Sequence, residues 1–296
     1  MCPPPRAPQE QKTSGARHPS SRGSGGAGTA TGCQFGIQRD ETALLADAAL
    51  DYISVQRPFH LLIGYGEDIF HLIAPDVRGH GESGWSSAGE YQYRDQASDL
   101  AALVDQLGLA RFILIGTSMG GIIAMAYAAA RGERLQGLVL NDIGPDVEGG
   151  SQRITQMVGS RPEEFATLED AMAYRREMSP IVAGRSEEDQ RELALGVLRQ
   201  RPDGRWGWKM DPAYIQQRVQ RGAPSRPGLW PALEGLACPT LVVWGTESDV
   251  LSEAQARRMV KVLPRGELVA VPGVGHAPTL VEPVVLAALE GFLAGV

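Results

Sequence analysis

From about residue 70 onward, short runs of apolar residues alternate with segments in which apolar residues recur at helical spacing. Short runs bounded by loop residues are typical of buried strands, and the longer period is typical of amphipathic helices. The predicted strands cover residues 70–75, 111–115, 137–140, 241–244 and 267–271, and the predicted helices cover residues 91–107, 119–130 and 282–293. This alternation predicts an α/β fold, with a mostly parallel sheet flanked by helices.

Between residues 144 and 230 the strand pattern disappears, and helical, charged stretches such as 168–177 and 187–199 replace it. An insertion between two strands of such a sheet covers the carboxyl ends of the strands, where ligands bind. We therefore expect an all-helical cap. The predicted organisation is a disordered leader at 1–38, a first part of the α/β core at 39–144, the cap at 145–230 and a second part of the core at 231–296.

The leader consists mainly of Pro, Gly, Ser, Thr and Arg, and it contains too few apolar residues to offset the entropy lost on ordering. Its four basic residues against the single acid Glu10 weakly suggest an organelle transit peptide, but its Pro and Gly content opposes an amphipathic helix. No export signal or membrane-spanning stretch is visible. We therefore expect a cytoplasmic protein without a membrane partner.

Composition narrows the classes of function. Hydrophobic residues make up 43% of the chain and charged residues 21%, which is typical of a globular protein. The net charge of −7 opposes nucleic-acid binding, which needs clustered Lys and Arg. The cysteines Cys2, Cys33 and Cys238 have neither disulfide-framework nor zinc-site spacing, so a reducing compartment fits best.

The most specific motif is Gly-Thr-Ser-Met-Gly-Gly at residues 116–121, where a predicted strand ends and a helix begins. A serine in such a sharp turn exposes its hydroxyl, and small neighbours prevent backbone clashes. The N–H groups at the start of the helix can stabilise an oxygen that becomes negative when a carbonyl is attacked. Ser118 is therefore the predicted nucleophile.

A serine nucleophile needs a nearby base and a group that orients the base. The histidines are His18, His60, His71, His80 and His276. Because His276 lies in a loop of small residues after the last strand, it is the predicted base. For the acid, Asp249 follows the strand 241–244 and precedes an apolar pair that can anchor its loop. Asp142, after the strand 137–140, is the competing candidate.

Together these segments resemble the α/β-hydrolase superfamily from about Phe70 to the end of the chain. The loop 76–83, the turn at Ser118 and the segments 141–145 and 275–278 resemble those of capped microbial esterases and enol-lactonase-like serine hydrolases. Serine instead of aspartate at this turn is unlike haloalkane dehalogenases and epoxide hydrolases. The motif is also similar to that of cofactor-free perhydrolases and carbon–carbon bond hydrolases, so these reactions stay open.

The chain departs from the superfamily upstream of residue 70. Members usually carry a His-Gly pair after an earlier strand, whose loop donates the second oxyanion N–H, and then a helix. Here only residues 65–75 separate Gly64 from Asp76, which is room for a strand but not for a helix as well. The predicted oxyanion donors are Met119 and the backbone near Tyr65 or Gly66. We hypothesise that deletion, alternative splicing or a shifted reading frame altered the N-terminal third.

The sequence thus predicts a serine esterase that cleaves small to medium carboxylic esters or lactones through an acyl-enzyme, without a cofactor. Candidate substrate-binding residues are Thr117, Trp206 and Trp208. Two alternatives stay open. One is a catalytically impaired hydrolase fold that serves as a binding protein, and the other is an enzyme that cleaves peptide or carbon–carbon bonds.

Overall fold

The structure, a computed structural model, describes residues 37–39, 59–64, 70–146, 148–221, 226 and 228–296, with side chains from residue 73 onward except residues 180 and 181. The described strands are β1 (Ile37–Arg39), β2 (Phe59–Gly64), β3 (Phe70–Pro75), β4 (Phe112–Thr117), β5 (Leu135–Asn141), β6 (Glu164–Phe165), β7 (Leu198–Gln200), β8 (Trp206–Trp208), β9 (Thr240–Gly245) and β10 (Gly266–Val271). The described helices are α1 (Tyr93–Gln106), α2 (Met119–Arg131), α3 (Gly150–Gly159), α4 (Leu168–Met178), α5 (Pro180–Ala183), α6 (Glu187–Val197), α7 (Pro212–Arg221), α8 (Leu229–Glu234), α9 (Glu253–Val262) and α10 (Pro283–Ala294).

A seven-stranded sheet with the order β1-β3-β2-β4-β5-β9-β10 forms the centre of the fold. The strands β4, β5, β9 and β10 are parallel neighbours. The strand β2 is antiparallel to both β3 and β4, and β1 is antiparallel to β3. Five strands therefore share one direction, which confirms the predicted mostly parallel sheet flanked by helices.

Alternating side chains of the sheet build a core on each face, because successive residues of a strand point to opposite sides. In β4, Phe112 and Leu114 join the core beneath α1 and α2, whereas Ile113 and Ile115 join the core beneath α10. The same alternation continues in β5 and β9. Because both faces are apolar, these strands appear in the sequence as continuous apolar runs.

The insertion, defined here as residues 150–221, is not all-helical as the sequence predicts. It contains the helices α3–α7 and also an antiparallel three-stranded sheet with the order β6-β8-β7. These strands are two or three residues long, too short to show an alternating pattern in the sequence. The turn between β7 and β8 contains Pro-Asp-Gly, with Gly204 at φ 84°. This turn sequence is the local feature that indicates a hairpin here.

Several expectations fall on residues outside the described ranges. The predicted leader lies outside them except for its last two residues, which belong to β1. In the region of the hypothesised alteration, the strands β2 and β3 are described and residues 65–69 between them are not. None of the described helices has the length and apolar character needed to cross a bilayer.

Candidate active site

Ser118 lies between the end of β4 and the start of α2, at the carboxyl edge of the parallel strands. Its backbone has φ 51° and ψ −116°, a strained conformation for a residue with a side chain. A Cβ atom on Gly116 would lie 2.6 Å from the carbonyl oxygen of Gly120, and one on Gly121 would lie 2.2 Å from a methyl carbon of Ile143. Glycine is therefore required on both sides of the turn.

His276 lies in the loop after β10 and contacts the serine directly. Its Nε2 atom lies 2.8 Å from Ser118 Oγ, and its side chain is 9% exposed. The end of β9 holds this loop closely, since a Cβ on Gly245 would meet the carbonyl oxygen of Val274 at 2.5 Å. The backbone N–H of Glu247 also donates to Val274 at 2.9 Å. The small residues that the sequence analysis noted thus permit a close approach of two loops.

Asp142 is the carboxylate that contacts His276. Its Oδ2 atom lies 2.7 Å from His276 Nδ1, and its side chain is fully buried. The carboxylate also accepts hydrogen bonds from the backbone N–H of Gly245 at 3.0 Å and from the Ser248 hydroxyl at 2.6 Å. These bonds compensate for taking the charge out of water. Asp142 has φ 55°, a left-handed conformation that aspartate tolerates better than most residues.

The prediction that Asp249 orients the histidine is wrong. Its side chain is 45% exposed and forms a bidentate ion pair with Arg153 of α3, at 2.6 and 2.8 Å. The apolar pair Val250 and Leu251 is buried as expected, but it turns Ser248 toward the site instead. The Ser248 hydroxyl accepts from both of their backbone N–H groups while donating to Asp142. Asp249 is left on the outer side of the loop.

Asn141 joins three segments of the site, a role that sequence reasoning missed. Its side-chain amide donates to Thr117 Oγ1 at 3.1 Å and to the backbone oxygen of Pro278 at 2.8 Å. The turn at Ser118, the end of β5 and the loop of His276 are thus tied together. The hydroxyl of Thr117, predicted to contact substrate, takes part in this framework. Its contact with substrate stays a prediction.

Comparison with protein families identifies the family to which the chain belongs. The family model of the alpha/beta hydrolase fold matches residues 54–283. The chain belongs to the α/β-hydrolase fold family. The match begins upstream of Phe70, the residue from which the sequence motifs carry the resemblance.

The relatives of this α/β-hydrolase include hydrolases, among them esterases and lipases. It is 33% identical to a 3-hydroxybutyrate-oligomer hydrolase of Cupriavidus necator, over 76% of this chain and 80% of that protein. It is 26% identical to Lipase 1 of Psychrobacter immobilis, over 71% of this chain and 64% of the lipase. A solved α/β-hydrolase structure from Novosphingobium aromaticivorans has 35% identity and a TM-score of 0.63, and covers 76% of this chain and 80% of its own.

The first turn of α2 begins directly after Ser118 in this α/β-hydrolase. The Ser118 carbonyl accepts from the N–H groups of Gly121 and Ile122 at 3.0 and 3.2 Å. Met119 is the first helical residue, so its N–H belongs to the group that a helix leaves without an intrahelical partner. The other predicted oxyanion donor, Tyr65, lies outside the described residues. Both assignments stay predictions.

Trp206 and Trp208 pack within the insertion of the α/β-hydrolase. They cover a small core that includes Phe165, and the rings of Phe165 and Trp208 are 5.7 Å apart. The indole N–H of Trp208 donates to the backbone oxygen of Pro162 at 2.7 Å. Their contact with substrate stays a prediction. In the described part of the chain, no group of three or more His, Cys, Asp or Glu residues is placed to hold a metal ion.

His80 does not contact the line of residues from Asp142 to Ser118. Its Nδ1 atom lies 3.1 Å from the backbone oxygen of Arg78, and its ring meets Tyr214 edge-on at 4.8 Å. Burial lowers the pKa of His80 from 6.5 to about 4, so the ring is neutral at neutral pH. These contacts place His80 in the packing of its loop against α7.

Proposed function

We propose that this α/β-hydrolase is a serine hydrolase of carboxylic esters, with Ser118 as nucleophile and His276 as general base. Asp142 orients the base. The observation that supports this proposal is the line of short hydrogen bonds from Asp142 through His276 to Ser118, at 2.7 and 2.8 Å. This geometry supports acyl transfer by serine, and the hydrolase relatives of the fold support it as well.

In the first half of the reaction, His276 Nε2 accepts the proton of the Ser118 hydroxyl as Oγ attacks the ester carbonyl. Asp142 accepts the hydrogen bond from Nδ1–H, which keeps Nε2 unprotonated and stabilises the imidazolium that forms. The negative oxygen of the tetrahedral intermediate faces the Met119 N–H at the positive end of α2. His276 then protonates the departing alcohol, and an acyl-serine remains.

In the second half, His276 removes a proton from a water molecule that attacks the acyl-serine. Collapse of the second tetrahedral intermediate releases the carboxylic acid, and the proton returns from His276 to Ser118. The overall change is one ester and one water converted to one acid and one alcohol. No cofactor takes part in this sequence.

The substrate class is a small to medium carboxylic ester or a lactone. The C. necator relative is named for hydrolysis of 3-hydroxybutyrate oligomers, whose units are joined by ester bonds, and another relative is named as a lipase. Both names fit ester chemistry at this serine. The solved relative from N. aromaticivorans is an α/β-hydrolase, and its likeness supports the fold.

A fluorophosphonate probe tests the proposal directly, because it reacts with an activated serine. We expect the wild-type protein to be labelled at Ser118 and to hydrolyse short p-nitrophenyl esters, and we expect Ser118→Ala and His276→Ala to lose both properties. A folded wild-type protein that takes up no label would contradict the proposal and favour the binding-protein alternative. If the protein were labelled but cleaved a dienone or a peptide and no ester or lactone, the reaction would be cleavage of a carbon–carbon or peptide bond instead.

A further inference from the structure

The helix α7 of the insertion reaches the first residue after the nucleophile. The Tyr214 hydroxyl, which is buried, lies 3.1 Å from the sulfur of Met119. One helical turn later, the Arg218 Nη1 atom donates to the same hydroxyl at 3.4 Å. The Arg218 guanidinium therefore contacts the Tyr214 hydroxyl, and this hydroxyl contacts the side chain of Met119, the residue that follows Ser118.

Arg218 has few partners for a charged group in this position. Its Nε atom is buried and has no hydrogen-bond partner among the described residues. No Asp or Glu in the described ranges forms an ion pair with it. The side chains that meet this half-buried guanidinium are the tyrosines Tyr214 and Tyr93. Both are neutral phenols at neutral pH, so the guanidinium has lost water without gaining a counter-charge, which costs free energy.

Arg161 is a second arginine that lacks an acidic partner among the described residues. Its guanidinium stacks over the Trp208 ring at 4.3 Å, and its Nη2 atom lies 3.2 Å from the sulfur of Met210. In the part of the chain that the structure covers, it too has no carboxylate partner. Arg161 lines a cavity of about 300 Å³ together with Trp208, Met210 and Ile215.

Two of the carboxylates nearby are already engaged, and Glu163, which also lines the cavity, is exposed and forms no ion pair with Arg161. Asp211 accepts a short hydrogen bond from the Tyr91 hydroxyl and another from the backbone N–H of Ala213 at 2.8 Å. Glu164 forms ion pairs with Arg201 and Arg205, each at 2.6 Å. His80, which packs against Tyr214, is neutral at neutral pH and supplies no negative charge. Among the described residues, no acidic side chain forms an ion pair with Arg218 or Arg161, so a carboxylate of a ligand can supply their counter-charge.

We propose that Arg218, assisted by Arg161, binds a carboxylate group of the substrate, so that the preferred substrate is an ester that also carries a free carboxylate. This inference depends on the proposed function, because the substrate's carboxylate is bound while Ser118 attacks the ester group of the same molecule. A guanidinium fits a carboxylate through paired hydrogen bonds, and it does so more strongly where water is excluded. The side chain of Met119 separates the two ends, which favours a spacer of several carbons between ester and carboxylate.

The experiment compares each acidic ester with its methyl-capped counterpart. The acidic esters are p-nitrophenyl hemiadipate and hemisuberate, with the carboxylate on the acyl side, and the acetyl ester of ω-hydroxyhexanoate, with it on the alcohol side. For at least one pair, we expect wild-type kcat/KM to favour the acidic form by about tenfold or more, and Arg218→Gln to lower that ratio by about tenfold, toward one. Arg218→Lys, which keeps the charge, should restore part of the ratio.

Arg221→Gln is the matched control, since Arg221 lies on the same helix and is exposed. It should leave the ratio at the wild-type value. A wild-type protein that treats acidic and capped esters alike in all three pairs would overturn the inference. An equal loss of both rates in Arg218→Gln, with the ratio unchanged, would also overturn it, because a merely structural role predicts that pattern.

A binding measurement separates this inference from the proposed function. In Ser118→Ala, calorimetry with monomethyl adipate and dimethyl adipate should show tighter binding of the acid, and the double variant with Arg218→Gln should lose the difference. Loss of fluorophosphonate labelling would contradict the proposed function alone. Equal binding of the two adipates, in a protein that labels normally before Ser118 is replaced, would contradict carboxylate recognition alone.

Discussion

The loops after β5 and β9 each bring an aspartate to the same edge of the sheet, and their surroundings differ completely. Asp142 is fully buried and receives hydrogen bonds from a backbone N–H, a hydroxyl and the His276 ring. Asp249 is 45% exposed, and the side chain it meets is that of Arg153. One carboxylate is part of the site, and the other joins the insertion to the core at the surface.

The difference shows that an aspartate must follow a parallel strand to reach the histidine, but that this position alone does not bring it into contact. All carboxyl ends of parallel strands meet at one edge, so both loops are candidates by topology alone. The left-handed backbone of Asp142 aims its carboxylate across β9 toward the histidine. In the β9 loop the inward position belongs to Ser248, one residue before Asp249. The β9 loop thus contributes to the site through a hydroxyl rather than a carboxylate.

The largest expected effect comes from Asp142→Asn. The amide cannot hold the Nδ1–H tautomer of His276, so we expect kcat for a p-nitrophenyl ester to fall by about ten thousandfold. The matched variant Asp249→Asn should keep kcat within about twofold of the wild-type value, because surface ion pairs contribute little. Steady-state kinetics on both variants, with circular dichroism to verify folding, measure the contrast. The reverse ranking would restore Asp249 as the orienting acid.

A smaller effect is expected from Ser248→Ala. The substitution removes the hydroxyl that donates to Asp142 and accepts from two backbone N–H groups. We expect the free energy of unfolding to fall by about 1–3 kcal/mol, because buried groups lose their partners. Urea denaturation measures this loss, and Ser248→Thr, which keeps a hydroxyl, serves as the control. If alanine and threonine were equally stable, the hydroxyl would have no part in holding Asp142.

The smallest effect concerns the stability contributed by Asp249. Hydrogen bonds from Arg153 lower the pKa of Asp249 below its ordinary 3.8. The ion pair therefore stabilises the folded state above that value, and its contribution is lost as the pH falls through the lowered pKa. Since both side chains are about half exposed, we expect Asp249→Asn to cost less than about 1 kcal/mol at neutral pH. The difference should vanish in acid and shrink in high salt; a cost that persisted in both would require another cause.

Much of the fold could be predicted because its signals are local. The predicted strand 241–244 lies within β9, and the helix predicted from Met119 begins there. The small sheet of the insertion could not be predicted from periodicity, because its strands are too short to repeat a pattern. Its hairpin turn at Gly204 was the one available clue.

The candidate site shows the same division between local and long-range information. Ser118 and His276 stand in motifs whose glycines report tight backbone packing, so both could be chosen from the sequence. The choice between Asp142 and Asp249 depended on which carboxylate turns toward the ring. That choice depends on the backbone conformation at one residue and on the packing of another loop against it, and neither leaves a distinctive local pattern.

By itself, the sequence of this chain determined the parallel sheet, the strained turn at Ser118 and the loop that presents His276. These features follow from apolar periodicity and from glycines at close approaches. Only the tertiary structure decided that Asp142 completes the hydrogen-bonded line and that Asp249 pairs with Arg153. The physical reason is that a carboxylate works at this site only when it is buried among donors, and those donors come from residues more than a hundred positions away in the chain.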